Sequence, residues 1–502
     1  MRIRHATRAG GRAEADLFGT LAALSRDEVA DFPALRAHQR HPWHAFAVQV
    51  AALALLRDGA TEPPDDGGSW RALLHALAPA EAWELVVEDW RKPALLQPPG
   101  LETGLRDKGK RAATPDALDM LLTARNHDLK GARMGAAADD DWLFALVSLQ
   151  TQEGQMGAGN YGISRMNGGY GARVALSLRP AEDRPGAAFR RDLARLLALR
   201  PAIEHDAVAT GDVGLVWTLP WDGTTSLPFD RLDPYYVEVC RRVRLLREEG
   251  RTVAVLANSK VARIEAKALH GVTGDPWAPL EAAGAKSWGI SEQGFGYRKV
   301  VDLLNPEKVR PAPLAEPALE DGAGGLTLLA VAVARGQGKT EGFHERRIAV
   351  PAKAVSLFGI RRDRLGQVAK ARAERAGEAA QILRHALRVL AQGGPERAKA
   401  DDDETNRRIA RFERLFDRSV DRAFFDDAFW DHAAGDGPIE EANARHDPAW
   451  RDRLAEMAWE ALEAAEAALP RSALRRLRAV SRARAVLAGR LKRFRNPDEV
   501  TT

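Results

Sequence analysis

Residues 139–169 read DDDWLFALVSLQTQEGQMGAGNYGISRMNGG: an apolar segment, Trp142 to Leu149, runs into a loop in which the twenty residues from Gly154 to Arg173 include seven glycines. Within it, Gly157-Ala158-Gly159-Asn160-Tyr161-Gly162 spells G-x-G-x-x-G. A dinucleotide fingerprint of that form needs a preceding strand, a helix opening on its third glycine, and an acidic residue roughly 20 positions later at the end of the next strand. The residues from Ile163 to Gly171 hold three further glycines and cannot build that helix, and the acidic residue at the right distance, Glu182, sits in the turn sequence PAEDRPG. Two readings stay open: a surface loop without a ligand, or a loop whose backbone lies against a polyanion. Glycine admits a sugar-phosphate or groove edge that a side chain would block, and its N–H groups can donate there. Arg165 and Arg173 are the loop's only charges, which predicts a reader of shape more than of charge.

With 502 residues, 45% of them hydrophobic, the chain is long enough for two or three domains with a substantial core. Charged residues make up 29% with a formal net charge of only +4, so a nucleic-acid surface must come from local clustering. Cys240 is the single cysteine, which excludes intrachain disulfides and cysteine-rich zinc sites and fits a reducing compartment. The N-terminus lacks the apolar core of a signal peptide, and the longest apolar run, Ala45 to Leu56, is too short for a bilayer. A soluble, cytoplasmic protein with no membrane partner is expected.

The pattern FAVQVAALALLR from Phe46 to Arg57 predicts a core helix, apolar nearly all round. Residues 58–115 are punctuated by Gly and Pro. GLTLLAVAVA, Gly325 to Ala334, predicts a buried strand followed by a turn, Arg335 to Thr340. Gly338-Lys339-Thr340 resembles the end of a phosphate-binding P-loop, but Val333 stands where that motif needs glycine and no helix pattern follows. After Pro351 the texture changes. Helix-length segments at about 352–391, 404–434, 438–469 and 472–494, separated by Gly/Pro breakers, predict a four-helix bundle. The expected fold class is α+β: a large, mixed, loop-rich N-terminal domain over residues 1–351, then a C-terminal four-helix bundle over 352–502.

His38, His41 and His44 could bring three imidazoles together, but Pro42 is expected to interrupt the helix that their spacing requires, and no carboxylate lies among them. Asn126-His127-Asp128 and His344-Glu345-Arg346 place polar groups side by side without a paired-carboxylate or H-x-x-x-H motif. No metal, cofactor or catalytic residue is therefore expected; a metal-dependent nuclease acting on DNA through these histidines is the alternative.

HPWHAFAVQVAALAL (41–55), LLTARNHDLK (121–130), residues 139–169 and GFHERRIAV (342–350), with the helical C-terminus behind them, resemble the large-subunit (CasA) family of the type I-E CRISPR surveillance complex Cascade. Residues 1–30 depart from that family, lacking its apolar opening strand with a Trp-Ile-Pro element. The resemblance implies a non-enzymatic subunit that recognises the protospacer-adjacent motif (PAM) in double-stranded target DNA. It further implies that the subunit promotes strand separation and recruits a helicase-nuclease after R-loop formation, in company with the other Cascade subunits and the CRISPR guide RNA. It places the PAM-facing glycine loop on Gly157, Ala158, Gly159 and Asn160, and a groove lysine on Lys286, with Lys267 as competitor. A wedge beneath the PAM falls in the turn Gln337 to Glu341, including Lys339, with Thr340 at the aligned tip. Asn126, His127, Lys130 and Arg133 would anchor the subunit on the guide RNA. A minor-groove reader built of backbone and lysine tolerates several PAM sequences, since that groove shows a degenerate pattern.

The last helical segment, residues 471–495, holds ten basic residues and no acidic one. At 100° per residue Arg471, Arg475, Arg478, Arg482 and Arg493 share one face, with Leu477, Val480, Leu487, Leu491 and Phe494 opposite. Arg475, Arg478 and Arg482 are the expected DNA-backbone contacts; a solvated face is the plain alternative.

Overall fold

Ile3 and His5 are buried while Arg4 between them is half-exposed, and this period-two pattern makes a strand, β1 (Ile3–Thr7). The computed structural model describes residues 1–100, 109–118, 134, 137–152, 157–166, 173–206, 209–318, 321, 324–336, 339–396, 398–469 and 473–496. β1 pairs antiparallel with β2 (Arg12–Ala15) on one side and, beyond α1 (Leu17–Ser25), with β3 (Val29–Asp31) on the other. Asp16 caps α1 by accepting the Gly19 N–H at 2.8 Å. The first thirty residues thus do open with a strand, although without the apolar motif expected of it.

The apolar run Ala45–Leu56 lies in α2 (Ala37–Asp58), whose residues from His41 to Leu55 are all buried. Here one expectation fails: Pro42 does not interrupt the helix. It stands in the second turn, where it forfeits a single backbone bond, and burial of Trp43, Phe46, Val50 and Leu53 holds the helix together. Gly59 ends it with φ +76°, a left-handed conformation suited to glycine. α3 (Gly67–Leu77) and the short β4 (Lys110–Ala112) follow. The segment Trp142–Leu149 lies in α4 (Asp139–Gln152), whose first turn carries three aspartates, favourable at the positive end of the helix dipole. Arg4 forks onto the buried Asp140 at 2.7 and 2.8 Å and so docks β1 on that helix.

Beyond the glycine loop come β5 (Ala175–Pro180), α5 (Pro185–Asp206), β6 (Val213–Leu215), β7 (Leu232–Val237), β8 (Arg242–Glu248), β9 (Arg251–Ala257), α6 (Tyr297–Leu304), β10 (Leu326–Gly336) and β11 (Lys339–Val350). The strands form small sheets: β11-β10-β5 antiparallel, β4-β9-β8 antiparallel and a short parallel pair β6-β7. The predicted strand at 325–334 is β10, buried on both faces from Leu328 to Ala334. Where a P-loop would need a helix, the chain returns as β11.

The described chain divides into two compact units, Met1–Phe295 with Glu307–Ala352, and Gly296–Pro306 with Lys353–Thr502. The second holds α6 and α7 (Arg362–Ala391), α8 (Asp403–Ala423), α9 (Asp427–Ala434), α10 (Ile439–Ala468) and α11 (Ala473–Arg495). The helix expected over 404–434 is broken at Phe424-Phe425-Asp426, because Asp426 caps a new start by accepting the Phe429 N–H at 2.9 Å. Inside this unit the Arg372 guanidinium lies 3.8 Å from the Trp450 ring centre and donates to Asp426 at 2.8 Å. Burial lowers its pKa to about 10, against the pull of Asp426. Among the described residues no helix is long and apolar enough to cross a membrane.

A second buried charge cluster lies in the first unit. Arg173 forks onto Asp275 at 2.7 and 3.1 Å and donates to the Thr151 carbonyl at 3.2 Å, at the end of α4. Arg165 stacks over Tyr236 at 4.0 Å and donates to the Tyr236 carbonyl at 2.8 Å. Burial acts to raise the Asp275 carboxyl, but Arg173 and Arg165 outweigh it and hold it down at about 2. Asp275→Asn should therefore destabilise the protein at pH 7 by about 3–5 kcal/mol, the cost of breaking a buried pair from one side, read by urea denaturation monitored through tryptophan fluorescence. A carboxyl held below its unfolded value of about 3.9 adds stability above that window and loses it as pH falls through it. The gap between wild type and variant should narrow, by about 2 kcal/mol, as the pH falls from about 4 to 2; a gap unchanged over that range would contradict the assignment.

Candidate nucleic-acid interface

Of the glycine loop, residues 157–166 are described. They turn tightly. Gly157 and Gly159 have φ of +95° and +81°, and the Asn160 N–H closes the turn on the Gly157 carbonyl at 3.1 Å. Two further carbonyls are taken by other segments. The Gly159 carbonyl accepts the Ser259 N–H at 3.1 Å, and the Tyr161 carbonyl accepts the Arg241 guanidinium. The N–H groups of Ala158 and Gly159 have no partner among the described residues, and Ala158 is exposed.

The mounting beneath this turn is buried. Ile163 and Met166 pack on Cys240. Glu238 accepts both the Ser164 N–H, at 2.9 Å, and its hydroxyl, at 2.8 Å, while the Ser164 and Tyr236 hydroxyls lie 2.7 Å apart. Burial raises the Glu238 carboxyl above its ordinary value, opposed by Arg165 and Arg173. Gln150, on α4, accepts the N–H groups of Cys240 and Arg241 and donates to the carbonyls of Leu96 and Arg241. Arg165 and Arg173, the loop's two charges, are thus buried in the support and do not reach the surface.

Sequence reasoning missed the partner of the turn, the segment Asn258-Ser259-Lys260 after β9. A Cβ built on Gly159 would meet the Asn258 side chain at 2.8 Å, so the two are in close contact. The Arg242 guanidinium donates to the Asn258 carbonyl at 2.9 Å, and the Lys260 N–H to the Gly223 carbonyl at 2.6 Å. The Lys260 side chain is exposed and has no ion-pair partner among the described residues. The available signal was a polar ANSK at the end of a strand pattern.

The two lysines taken from the resemblance sit elsewhere, on adjacent turns: the Ser287 N–H donates to the His270 carbonyl, and the His270 N–H to the Lys267 carbonyl. Both are exposed, and Lys286 pairs with Glu281 at 3.3 Å. No hydrogen bond among the described residues joins either to the glycine turn. Lys339, Thr340 and Glu341 lie in β11 and not in a turn, because β10 extends through Gly336 and pairs Arg335 with Thr340 beyond a register shift. The Thr340 hydroxyl accepts from Arg335 at 2.5 Å. Gln337 lies outside the described residues, as do Asn126, His127, Lys130 and Arg133.

His38, His41 and His44 are buried on α2. His44 Nε2 meets the Asp192 carboxylate at 2.8 Å, and His41 packs edge-on to Trp277. Among the described residues no group of three or more His, Cys, Asp or Glu could hold a metal ion.

On α11 the buried face is Ala479, Ala483, Leu487, Leu491 and Phe494; Leu477, expected among them, is 74% exposed, since it stands well round the helix from that i+4 row. Arg478 is exposed without an ion-pair partner among the described residues. Arg482 reaches Glu396 at 3.5 Å, a long contact between exposed side chains, and Arg484 forks onto Glu466. The side chain of Arg475 lies outside the described ones.

A model of the family described as CRISPR-associated protein Cse1 matches residues 216–474. The fold is similar to that of CasA from Thermus thermophilus (TM-score 0.66, 18% identity, 98% of each chain). It is similar also to Cse1 from Acidimicrobium ferrooxidans (0.67, 15%, 99% of this chain and 97% of that one) and from Thermobifida fusca (0.67, 16%, 98% and 97%). Comparison with curated protein sequences finds no match. The family match covers just over half of the chain, and this chain belongs to the CRISPR-associated protein Cse1 family, the large subunit of the type I-E Cascade complex of CRISPR defence.

Proposed function

We propose that this subunit recognises the PAM in double-stranded DNA by laying the turn Gly157–Tyr161 against the minor groove, and that it is non-catalytic, promoting strand separation and recruiting a helicase-nuclease. One observation carries the reading: Ser259 and Arg241 take the Gly159 and Tyr161 carbonyls, while the N–H groups of Ala158, which is exposed, and Gly159 have no partner among the described residues. A surface of outward donors with little side chain suits a groove floor lined with acceptors. Lys260, on the segment that the turn touches, is the groove lysine that this geometry favours over Lys286 and Lys267. In the same proposal the hairpin end at Gln337 to Glu341 separates the strands, Asn126, His127, Lys130 and Arg133 hold the guide RNA, and Arg478 and Arg482, with Arg475, contact DNA phosphates. The resemblance supports these roles, and the exposed cations of α11 support the last.

Gly157→Asp is the cleaner test of the turn, because a Cβ there has nothing within 4 Å, whereas at Gly159 it would collide with Asn258. In an assembled complex it should abolish PAM-dependent binding in a gel-shift assay, with Gly157→Asn, uncharged and tolerant of positive φ, intermediate. Full affinity for a PAM-bearing duplex in the aspartate variant would sink the reading.

Lys260→Ala should weaken the same binding by about 1–3 kcal/mol, the scale of one good groove contact, with smaller losses for Lys286→Ala and Lys267→Ala. The reverse order would move the groove contact to the other turn.

Arg478→Glu with Arg482→Glu should lower target affinity with little change in PAM preference and flatten the salt dependence by about one unit of log-log slope per lost phosphate contact. An unaltered slope in a salt titration would mean that this face meets solvent or protein.

A further inference from the structure

We propose that a cavity in the first unit, between the starts of α2 and α5 and the sheet β11-β10-β5, binds a small aromatic anion: one ring system carrying a carboxylate or a phosphate. The cavity measures about 240 Å³, and its inner wall is formed by Phe32, Trp43, Phe189, Leu329 and Val331, all buried. An apolar cavity of about 150 Å³ accommodates benzene, so this one suits a single substituted ring or a fused pair. No residue of the proposed DNA interface lines it.

Three guanidinium groups, Arg40, Arg179 and Arg347, line the same space. Arg40 is matched by Asp31 at 2.6 Å, and Arg347 by Glu345 at 2.7 Å and by Asp183. Arg179 is the deficient one. It is 8% exposed, the one hydrogen bond of its side chain among the described residues is a 3.3 Å contact with the same Asp183, and its Nε has no partner. Burial lowers its pKa, with Asp192 and Glu345 opposing, and the Arg347 pKa is lowered by burial and then by Arg179 and Arg40. A buried cation with unused donors beside two others is a place where an anionic oxygen completes the hydrogen bonding. Asp183, the shared carboxylate, has φ +41°, a strained backbone conformation for a residue with a side chain. His41 also lines the cavity, and neither of its ring nitrogens has a partner among the described residues. Burial, with Arg173 and Arg179, keeps it neutral, so it offers one donor and one acceptor to a ring substituent.

The test is saturation-transfer NMR and calorimetric titration of the full-length protein with benzoate, phenyl phosphate and the neutral benzyl alcohol. At least one of the two anions should bind, and should bind more tightly than the alcohol. Leu329→Trp, which fills the cavity, should abolish that binding, and Arg179→Met should weaken it roughly tenfold or more. Arg347→Gln, at a rim position 40% exposed and so of little consequence for folding, should weaken it several-fold. Which anion binds better separates a carboxylate from a phosphate ligand. Absence of binding by both anions, equal binding of the alcohol, or binding unchanged in Arg347→Gln and Leu329→Trp would overturn the proposal.

Discussion

The fork of Arg173 on Asp275, with Arg165 stacked above Tyr236, is the contact on which the glycine turn depends. It joins the end of α4, the end of β7 and the segment around Asp275 to the two residues, Ser164 and Arg165, that follow the turn. Buried ions return little net stability, because desolvation offsets much of their attraction. What they contribute is position. Arg173 meets Asp275, Ser164 meets Glu238 and the Arg165 guanidinium meets the Tyr236 carbonyl, and a shifted loop would leave those groups unpaired in an apolar surrounding.

That mounting fixes the position of the turn Gly157–Tyr161. Glycine lowers the cost of the positive φ angles but raises the entropy lost on ordering. The order comes from outside the turn: Ser259 and Arg241 take its carbonyls, and Ile163 and Met166 pack on Cys240. The Ala158 and Gly159 N–H groups are left without partners among the described residues, and an exposed cation is supplied by the segment that the turn touches, at Lys260.

The second unit uses a related device. Arg372 sits among Trp450, Phe424 and Phe429 and reaches Asp426, the residue that caps α9. The break between α8 and α9 and the interior of the helical unit are thus tied by one side chain. Neither Arg372 nor Arg173 faces solvent, so a count of basic residues overstates the charge available to a nucleic acid in both units.

The sequence by itself determined the element types where the pattern was long. The apolar run in α2, the two-sided burial of β10, the helical texture after residue 351 and the exclusion of a nucleotide-binding helix after Gly162 all follow from periodicity and from what glycine and proline forbid. The stretches at 41–55, 121–130, 139–169 and 342–350, with the helical C-terminus behind them, carried the resemblance to the family. Tertiary structure decided the rest. Pro42 lies within α2 because packing outweighs one lost backbone bond, and no local rule contains that comparison. Gly296–Pro306 groups with the C-terminal helices through packing, which a boundary drawn along the chain does not represent. Arg165 and Arg173 read as loop charges until burial and Asp275 claim them. Lys260 becomes a candidate only because Ser259 and Asn258 meet Gly159 from almost 100 residues away, and such a contact is set by tertiary packing, not by any spacing within the loop.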